Sequence, residues 1–354
     1  MRSKKTRVVR LGNLLIGGNH PVCIKGMLKT PVAQKQKFIA EAKLLEKEGA
    51  QALRIAVKEE KDAATSGLLK KHISLPLVAD VHFHYRTALA AIESGFDGIR
   101  LNPLNINKRS EVAEVVRAAK RRKISIRVGI NSGGFKKKFA SSGSMAEQMV
   151  RAAGEYVRML EREDFFDIMV SLKGADVDTT VLANRIFAGR FDYPLHLGVT
   201  ASGPFLDGVI KSSLGLGMLL SQGIGSVIRI SLTAPSFWEI RVAKRILQAL
   251  KLRNFGPEII SCPTCSRCEV DLIDIVNKFE KDLRDSGLDK PLRIALMGCV
   301  VNGPGEAAQA DIGAAFGKNK AAIFCGDKVL RVSDEKRVVR DLWREIKKRN
   351  KHGI

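Results

Sequence analysis

The chain has 354 residues, 45% of them apolar and 6% aromatic, and its sixty Lys and Arg against thirty-seven Asp and Glu leave a net charge of +23. That length permits a large buried core, in one big domain or a big and a small one, resting mainly on aliphatic side chains. No run of about 18 apolar residues occurs and the opening MRSKKTRVVR has no apolar signal-peptide core, so the reading is a soluble, cytoplasmic chain with no membrane span. The surplus of positive charge favours acidic proteins and phosphorylated ligands as partners. The sequence argues against nucleic acid as a partner, because no recognition motif is present and aromatics for base stacking are few.

RVVRLGNLLIGG (7–18) reads as a hairpin able to plug the floor of a barrel. Eight short apolar runs follow: PVCIKGM (21–27), ALRIAV (52–57), LPLVADVHF (75–83), GIRLNP (98–103), SIRVGI (125–130), DIMVSLK (167–173), LHLGVT (195–200) and SVIRISLT (226–233). Between them lie stretches such as AEAKLLEKEG, ALAAIESG and EVAEVVRAAKRR, whose apolar residues recur at three- and four-residue spacing and form one buried helical face. Eight near-continuous apolar strands need cover on both faces, which a (β/α)8 TIM barrel over residues 1–254 supplies; an open doubly wound sheet is the alternative. After about residue 255 the pattern changes to a Cys-rich turn, a helix (EVDLIDIVNKFEKDLRDSG), a strand (LRIALMG), a Gly/Pro loop, a hairpin (AAIFCGDKVLRV) and a basic helix from about Glu335. That is a second, smaller α/β domain, 255–354.

Six cysteines occur, and four of them, Cys262, Cys265, Cys268 and Cys299, fall within SCPTCSRCEVDL and LMGCVVNGPGE. Cys262 and Cys265 on a Pro-containing turn can face one metal, and Cys299 at a strand end can complete the site. Zinc would want a second close pair, which Cys299 lacks, and Cys268 extends the run to a ferredoxin-like C-x2-C-x2-C; an iron–sulfur centre is therefore favoured over zinc. The NGPG turn at 302–305 brings Glu306 within reach of the same site. A carboxylate is a harder and weaker iron ligand than a thiolate, so such a corner can open for substrate.

Basic residues interrupt the apolar strands at Arg54, Arg100, Arg127, Lys173 and Arg229. A cation in a buried strand is costly unless paired, and its recurrence in five βα units points to an anionic ligand at the barrel mouth. Arg forks suit phosphate oxygens, and Asn102, Asn131, Ser171 and Ser231 add neutral donors. The competing reading pairs each cation with a barrel carboxylate such as Asp80. His82, His84 and His196 are weaker candidates; His82 beside Asp80 could orient a proton donor.

The strings VADVHF, IRVGINSG, YPLHLGVT, IKSSLGLG, IRISLTA, CPTCSR and GCVVNGPGE, in this order, resemble those of the 4-hydroxy-3-methylbut-2-en-1-yl diphosphate synthase family across nearly the whole chain. The resemblance implies a barrel joined to a cluster domain like that of sulfite reductase, with a [4Fe-4S] cluster on Cys262, Cys265, Cys299 and Glu306. It implies reduction of 2-C-methyl-D-erythritol 2,4-cyclodiphosphate with electrons from flavodoxin or ferredoxin. It also implies a homodimer in which one subunit's cluster domain caps the other's barrel. The matching diphosphate contacts are Arg54, Arg100, Asn102, Arg127, Asn131, Lys173, Arg229 and Ser231. Three departures stand out. Ala201 occupies the place of a Glu in a TEAG-like sequence. Lys25-Gly26 replaces a Gln-Ser pair, with PLNIN following Asn102 in place of a Gly-containing turn. Cys268 stands where a non-thiol is usual. A divergent paralogue reducing a related diphosphate, or a non-catalytic cluster protein binding an acidic partner or nucleic acid, are the rival readings.

Overall fold

The computed structural model describes residues 5–135, 143–299, 310–326 and 328–352. The chain divides into two compact units, Met1–Arg253 and Asn254–Ile354.

The first unit opens with an antiparallel hairpin of β1 (Val8–Leu11) and β2 (Leu14–Gly17). Eight parallel strands follow, β3 (Cys23–Met27), β4 (Ala52–Val57), β5 (Leu77–Val81), β6 (Gly98–Leu101), β7 (Ser125–Asn131), β8 (Ile168–Lys173), β9 (His196–Leu197) and β10 (Val227–Ile228). They neighbour one another in the order β8-β7-β6-β5-β4-β3-β10-β9, and a parallel bridge between Val170 and Leu195 closes the ring. The structure is thus a TIM barrel, with a helix after each strand: α1 (Lys35–Lys47), α2 (Glu60–Gly67), α3 (Tyr85–Glu93), α4 (Arg109–Arg122), α5 (Met145–Glu161), α6 (Val177–Arg190), α7 (Phe205–Leu220) and α8 (Ser236–Ala249). α5 starts where Ser144 and Glu147 cap each other, the Ser144 hydroxyl accepting from the Glu147 amide and the Glu147 carboxylate accepting from the Ser144 amide. None of the described helices is long and apolar enough to cross a membrane.

Because side chains alternate along a strand, one face of each barrel strand points inward. At the floor those residues are Cys23, Ala52, Val78, Met169 and Val227, and they form one apolar cluster with Val9, Leu11 and Ile16 of the hairpin. The hairpin therefore seals the N-terminal end of the barrel. One turn of the alternation higher, the inward residues become charged.

β9 and β10 are shorter than the six- and eight-residue apolar runs that contain them. Gly198 ends β9 because this backbone lies against a cation: a Cβ there would sit 2.6 Å from Lys173 Nζ and 2.5 Å from the Arg229 carbonyl.

The second unit holds β11 (Glu258–Ser261), α9 (Leu272–Asp285), β12 (Arg293–Met297), β13 (Ile312–Gly317), β14 (Lys320–Cys325), β15 (Lys328–Asp334) and α10 (Glu335–His352). Its sheet runs β11-β12-β13-β14-β15, with the first three strands parallel and the last two antiparallel. Phe279 and Leu283 of α9 and Val338, Leu342 and Ile346 of α10 cover one face, over Ile294, Leu296, Ile312, Ala314 and Ile323. Phe279 and Trp343 stack with ring centroids 5.0 Å apart. β11 and β13 add two strands to the one strand and the hairpin that the sequence signals in this unit. β11 has four residues, and β13, IGAAFG, has weak strand propensity because it must stay small: a Cβ on Gly313 would collide with Phe324 and the Ala295 carbonyl.

Candidate functional site

Parallel register places Asp80, Arg100 and Arg127 side by side on β5, β6 and β7, all facing the barrel axis. Asp80 Oδ1 lies 3.6 Å from Arg100 Nη1 and 3.8 Å from Arg127 Nη2, and Oδ2 lies 3.7 Å from Arg54 Nε and 3.3 Å from His82 Nε2. One carboxylate thus serves three guanidinium groups. Burial pushes the Asp80 carboxyl upward, but Arg54, the contact with His82, Arg100 and Arg127 together hold it well below the usual carboxylate range. The pairing reading is met for Asp80, and it leaves cations over.

Those cations are held in place from the wall. Arg100 Nη2 donates to the Gly129 carbonyl at 2.6 Å, and Gly129 must lack a side chain because a Cβ would collide with the Arg100 guanidinium. Arg127 Nη1 donates to Ser171 Oγ at 3.1 Å and faces His196 Nδ1 at 3.2 Å. With Nδ1 accepting, the neutral imidazole carries its proton on Nε2. Burial first, then Lys173, Arg127, Lys25 and Arg54, push His196 well below the usual imidazole range, so it is a neutral donor at pH 7. Arg229 Nη1 donates to Ser231 Oγ at 2.6 Å, with Nη2 3.6 Å from Glu239 of α8. Lys173 pairs in register with Asn131 at the upper end of β7 and β8. Asn102 is buried just beyond β6, its Oδ1 accepting from the Leu104 amide at 3.2 Å.

The interior now has six cations, Lys25, Arg54, Arg100, Arg127, Lys173 and Arg229, against the carboxylates of Asp80 and Glu239, and Glu239 is shared with Lys29 at 2.9 Å. Among the described residues, Lys25 Nζ, Arg127 Nε and Nη2, Lys173 Nζ, His196 Nε2 and Arg229 Nε are buried with no hydrogen-bond partner. Burial, then Arg229, Arg54, Arg127 and Lys25, pull Lys173 well below the ordinary amine range, and burial with Arg54 next lowers Arg229 to about 10. Asp80 Oδ1 and Glu239 Oε2 are carboxylate oxygens in the same interior likewise without a hydrogen-bond partner, fewer than the donors, and an anion with several oxygens stabilises the surplus. All eight expected contact residues sit on this inner wall or the mouth directly above it. Lys25 and Glu239 were not among them. Glu239 could have been suspected as a carboxylate on the buried face of SFWEIRVAKR, in line with Ile240 and Ala243. Of the departures, Gly26 points outward, since a Cβ there would meet Leu53, Leu45 and Ile240, and Ala201 is exposed in the left-handed region at φ +49°.

In the second unit, Cys262 follows β11 and Cys299 follows β12, two neighbouring parallel strands, so the thiols arrive at one sheet end. Gly298 joins them: its amide donates to Cys262 Sγ at 3.2 Å, and its missing side chain makes room for Cys268 Sγ. Cys268 Sγ also donates to the Val270 carbonyl at 3.3 Å, while Cys265 is exposed on the turn between. No three His, Cys, Asp or Glu side chains among the described residues are set to hold a single metal ion. Each thiolate of a cluster binds its own iron, so its ligands are spaced wider than those of one ion, and an N–H donor to sulfur is what tunes such a ligand; the donor set fits an iron–sulfur group. Glu306 and the turn at 302–305 lie outside the described residues.

A family model described as the GcpE TIM-barrel domain matches residues 6–244, and one described as the GcpE protein C-terminal domain matches residues 258–348. The 4-hydroxy-3-methylbut-2-en-1-yl diphosphate synthase (flavodoxin) of Caldanaerobacter subterraneus subsp. tengcongensis is 44% identical over 347 residues, covering 98% of this chain and 97% of its own. The protein of the same name from Bacillus cytotoxicus is 45% identical over 344 residues, covering 97% and 93%. Among solved structures, dihydropteroate synthase from Stenotrophomonas maltophilia superposes with a TM-score of 0.53 at 14% identity, over 70% of this chain and 98% of its own, a likeness of fold alone.

Proposed function

The chain belongs to the GcpE family, and from that premise we propose that it reduces 2-C-methyl-D-erythritol 2,4-cyclodiphosphate to 4-hydroxy-3-methylbut-2-enyl diphosphate in the non-mevalonate isoprenoid pathway, using electrons from flavodoxin or ferredoxin. The observation that carries the reading is the barrel's ring of buried, unpartnered donors on Lys173, Arg127, Arg229 and His196, which matches the oxygens of a diphosphate.

The reaction breaks one C–O bond to a phosphoryl group, whose oxygen keeps the electron pair, and expels a hydroxyl as water. Two electrons and one proton balance it when the product is a trianion. Arg100 and Arg127 clamp one side of the anion, and Arg229 with Ser231 the other, while the shared Asp80 keeps the guanidinium groups from repelling each other apart. His82, half exposed with Nε2 3.3 Å from both Asp80 Oδ2 and Arg100 Nη1, orients a proton donor beside the bound molecule. Cys262, Cys265, Cys299 and Glu306 would hold a [4Fe-4S] cluster, which would supply the electrons when bound, with the Glu306 carboxylate the more weakly held ligand. We read the protein as cytoplasmic and as a homodimer, the second supported by the exposed row Leu206, Ile210, Leu214 and Met218 along α7.

The test is an anaerobic assay of the cluster-loaded protein with the cyclic diphosphate and reduced flavodoxin. Formation of the allylic diphosphate is expected, and its absence from fully loaded protein overturns the reading.

The electron donor brings a further expectation. A charge of +23 attracts acidic flavodoxins, and salt near physiological strength shortens the screening length to roughly 8 Å. At saturating substrate, flavodoxin-supported turnover should fall steeply as salt rises. Turnover with reduced methyl viologen, a small cation, should fall less or rise. Equal salt dependence with the two donors would show that the basic surface does not serve electron delivery.

A further inference from the structure

Lys25 departs from the family's pattern, which has Gln at this place, and the structure shows where the change points. Its neighbour Gly26 faces the helices, so Lys25 on β3 faces the barrel axis, where it is 1% exposed. Its ammonium has no hydrogen-bond partner among the described residues. The charged and titratable groups around it are Cys23 on its own strand, Arg54 on β4, Asp80 on β5, Arg127 on β7, Lys173 on β8 and His196 on β9. Arg229 takes the adjacent inward position on β10, with Glu239 of α8 behind it. Only Asp80 among the nearer groups is an anion, and it already serves three arginines. A buried, unpaired cation among cations is a cost to the empty protein.

Ring opening supplies the missing partner. The cyclic diphosphate has one ionisable oxygen on each phosphoryl group and is a dianion. The opened diphosphate has a free terminal phosphoryl group and is a trianion. We propose, on the premise of the function above, that Lys25 contacts the phosphoryl group released by ring opening and neutralises the charge gained there, so that it favours the opened diphosphate over the cyclic one. Interactions that strengthen as the bond breaks accelerate the step, whereas those equal for both forms do not. The site also makes binding proton-linked: burial, then Arg127, bring the Lys25 amine down to about 7 in the empty barrel, and an anion raises it again. Affinity for the trianion should then decline as pH rises above 7, by up to about tenfold per unit for this one proton.

The test compares wild type, Lys25→Gln and Lys25→Met as cluster-loaded proteins by anaerobic calorimetric titration with each diphosphate, between pH 7.5 and 9, in two buffers of different ionisation enthalpy. Lys173 and His196 also face the anion, so the reading is taken from the difference between wild type and variants. Both variants should bind the opened diphosphate about 10- to 100-fold more weakly, lose only a few-fold for the cyclic one, and take up about one proton fewer on binding. Removing an unpaired buried charge should leave the unliganded midpoint of thermal unfolding unchanged or higher. Unchanged affinity for the opened diphosphate in both variants overturns the inference. So does an equal loss for both diphosphates with a lowered melting point, which marks a structural role. A wild type that binds neither diphosphate overturns the substrate reading, and this inference with it.

Discussion

Arg127→Met should bind the cyclic diphosphate about 10- to 150-fold more weakly than wild type while keeping its full iron content. The range follows from the roughly 1.5 to 3 kcal/mol assigned to a charge-assisted contact. Arg127 is the centre of the cage: it reaches Ser171, His196 and Asp80 from within a wall that buries it completely, and its Nε and Nη2 make no hydrogen bond. Burial, with Arg54 next and Arg100 and Arg229 adding to it against the opposing pull of Asp80, lowers its pKa well below that of an ordinary guanidinium, so the empty protein holds this charge at a cost. The neutral variant should therefore melt no lower than wild type in the absence of ligand, yet lose most of the ligand-induced rise in melting temperature. Calorimetric titration beside thermal scans reads both effects. Wild-type affinity in Arg127→Met and in the matching Arg229→Met would move the site away from the barrel interior.

Cys299→Ser should strip most of the iron and the visible colour from anaerobically purified protein, whereas Cys268→Ser should retain close to wild-type content, about four irons per chain. Cys299 follows Gly298, whose amide holds the Cys262 sulfur, so on the proposed ligand set its loss removes a ligand beside that sulfur. Cys268 instead donates its thiol to the Val270 carbonyl and packs against Gly298, and the proposed ligand set does not include it. Iron and acid-labile sulfide analysis with visible absorption decides between them. The opposite ranking would mean four cysteine ligands, and Glu306 would then have no place on a cluster corner.

The barrel was legible because its signal is local. Each strand carries its own apolar run, and the two-residue alternation already assigns Arg54, Arg100, Arg127, Lys173 and Arg229 to one face. What alternation cannot supply is the stagger between strands, which decides that Asp80 stands level with Arg100 and Arg127 and is divided among three partners. Glu239 escaped notice for the same reason, since its role depends on where α8 packs. β11 and β13 escaped because short or glycine-containing strands are specified by their neighbours more than by their own residues. Lys25 was visible as a departure, but its meaning needed the direction in which it points.

The hairpin closes the floor end of the barrel. Val9, Leu11 and Ile16 fill that end with buried apolar side chains, which offer an ion no polar path through the bottom. Whatever hydrates the six cations between turnovers must leave by the route the substrate takes in, and the diphosphate formed must retreat along that same route before another molecule can enter. Exchange at the mouth is thus a queue of one, and the same cations that draw the anion in set how long the finished product keeps the place occupied.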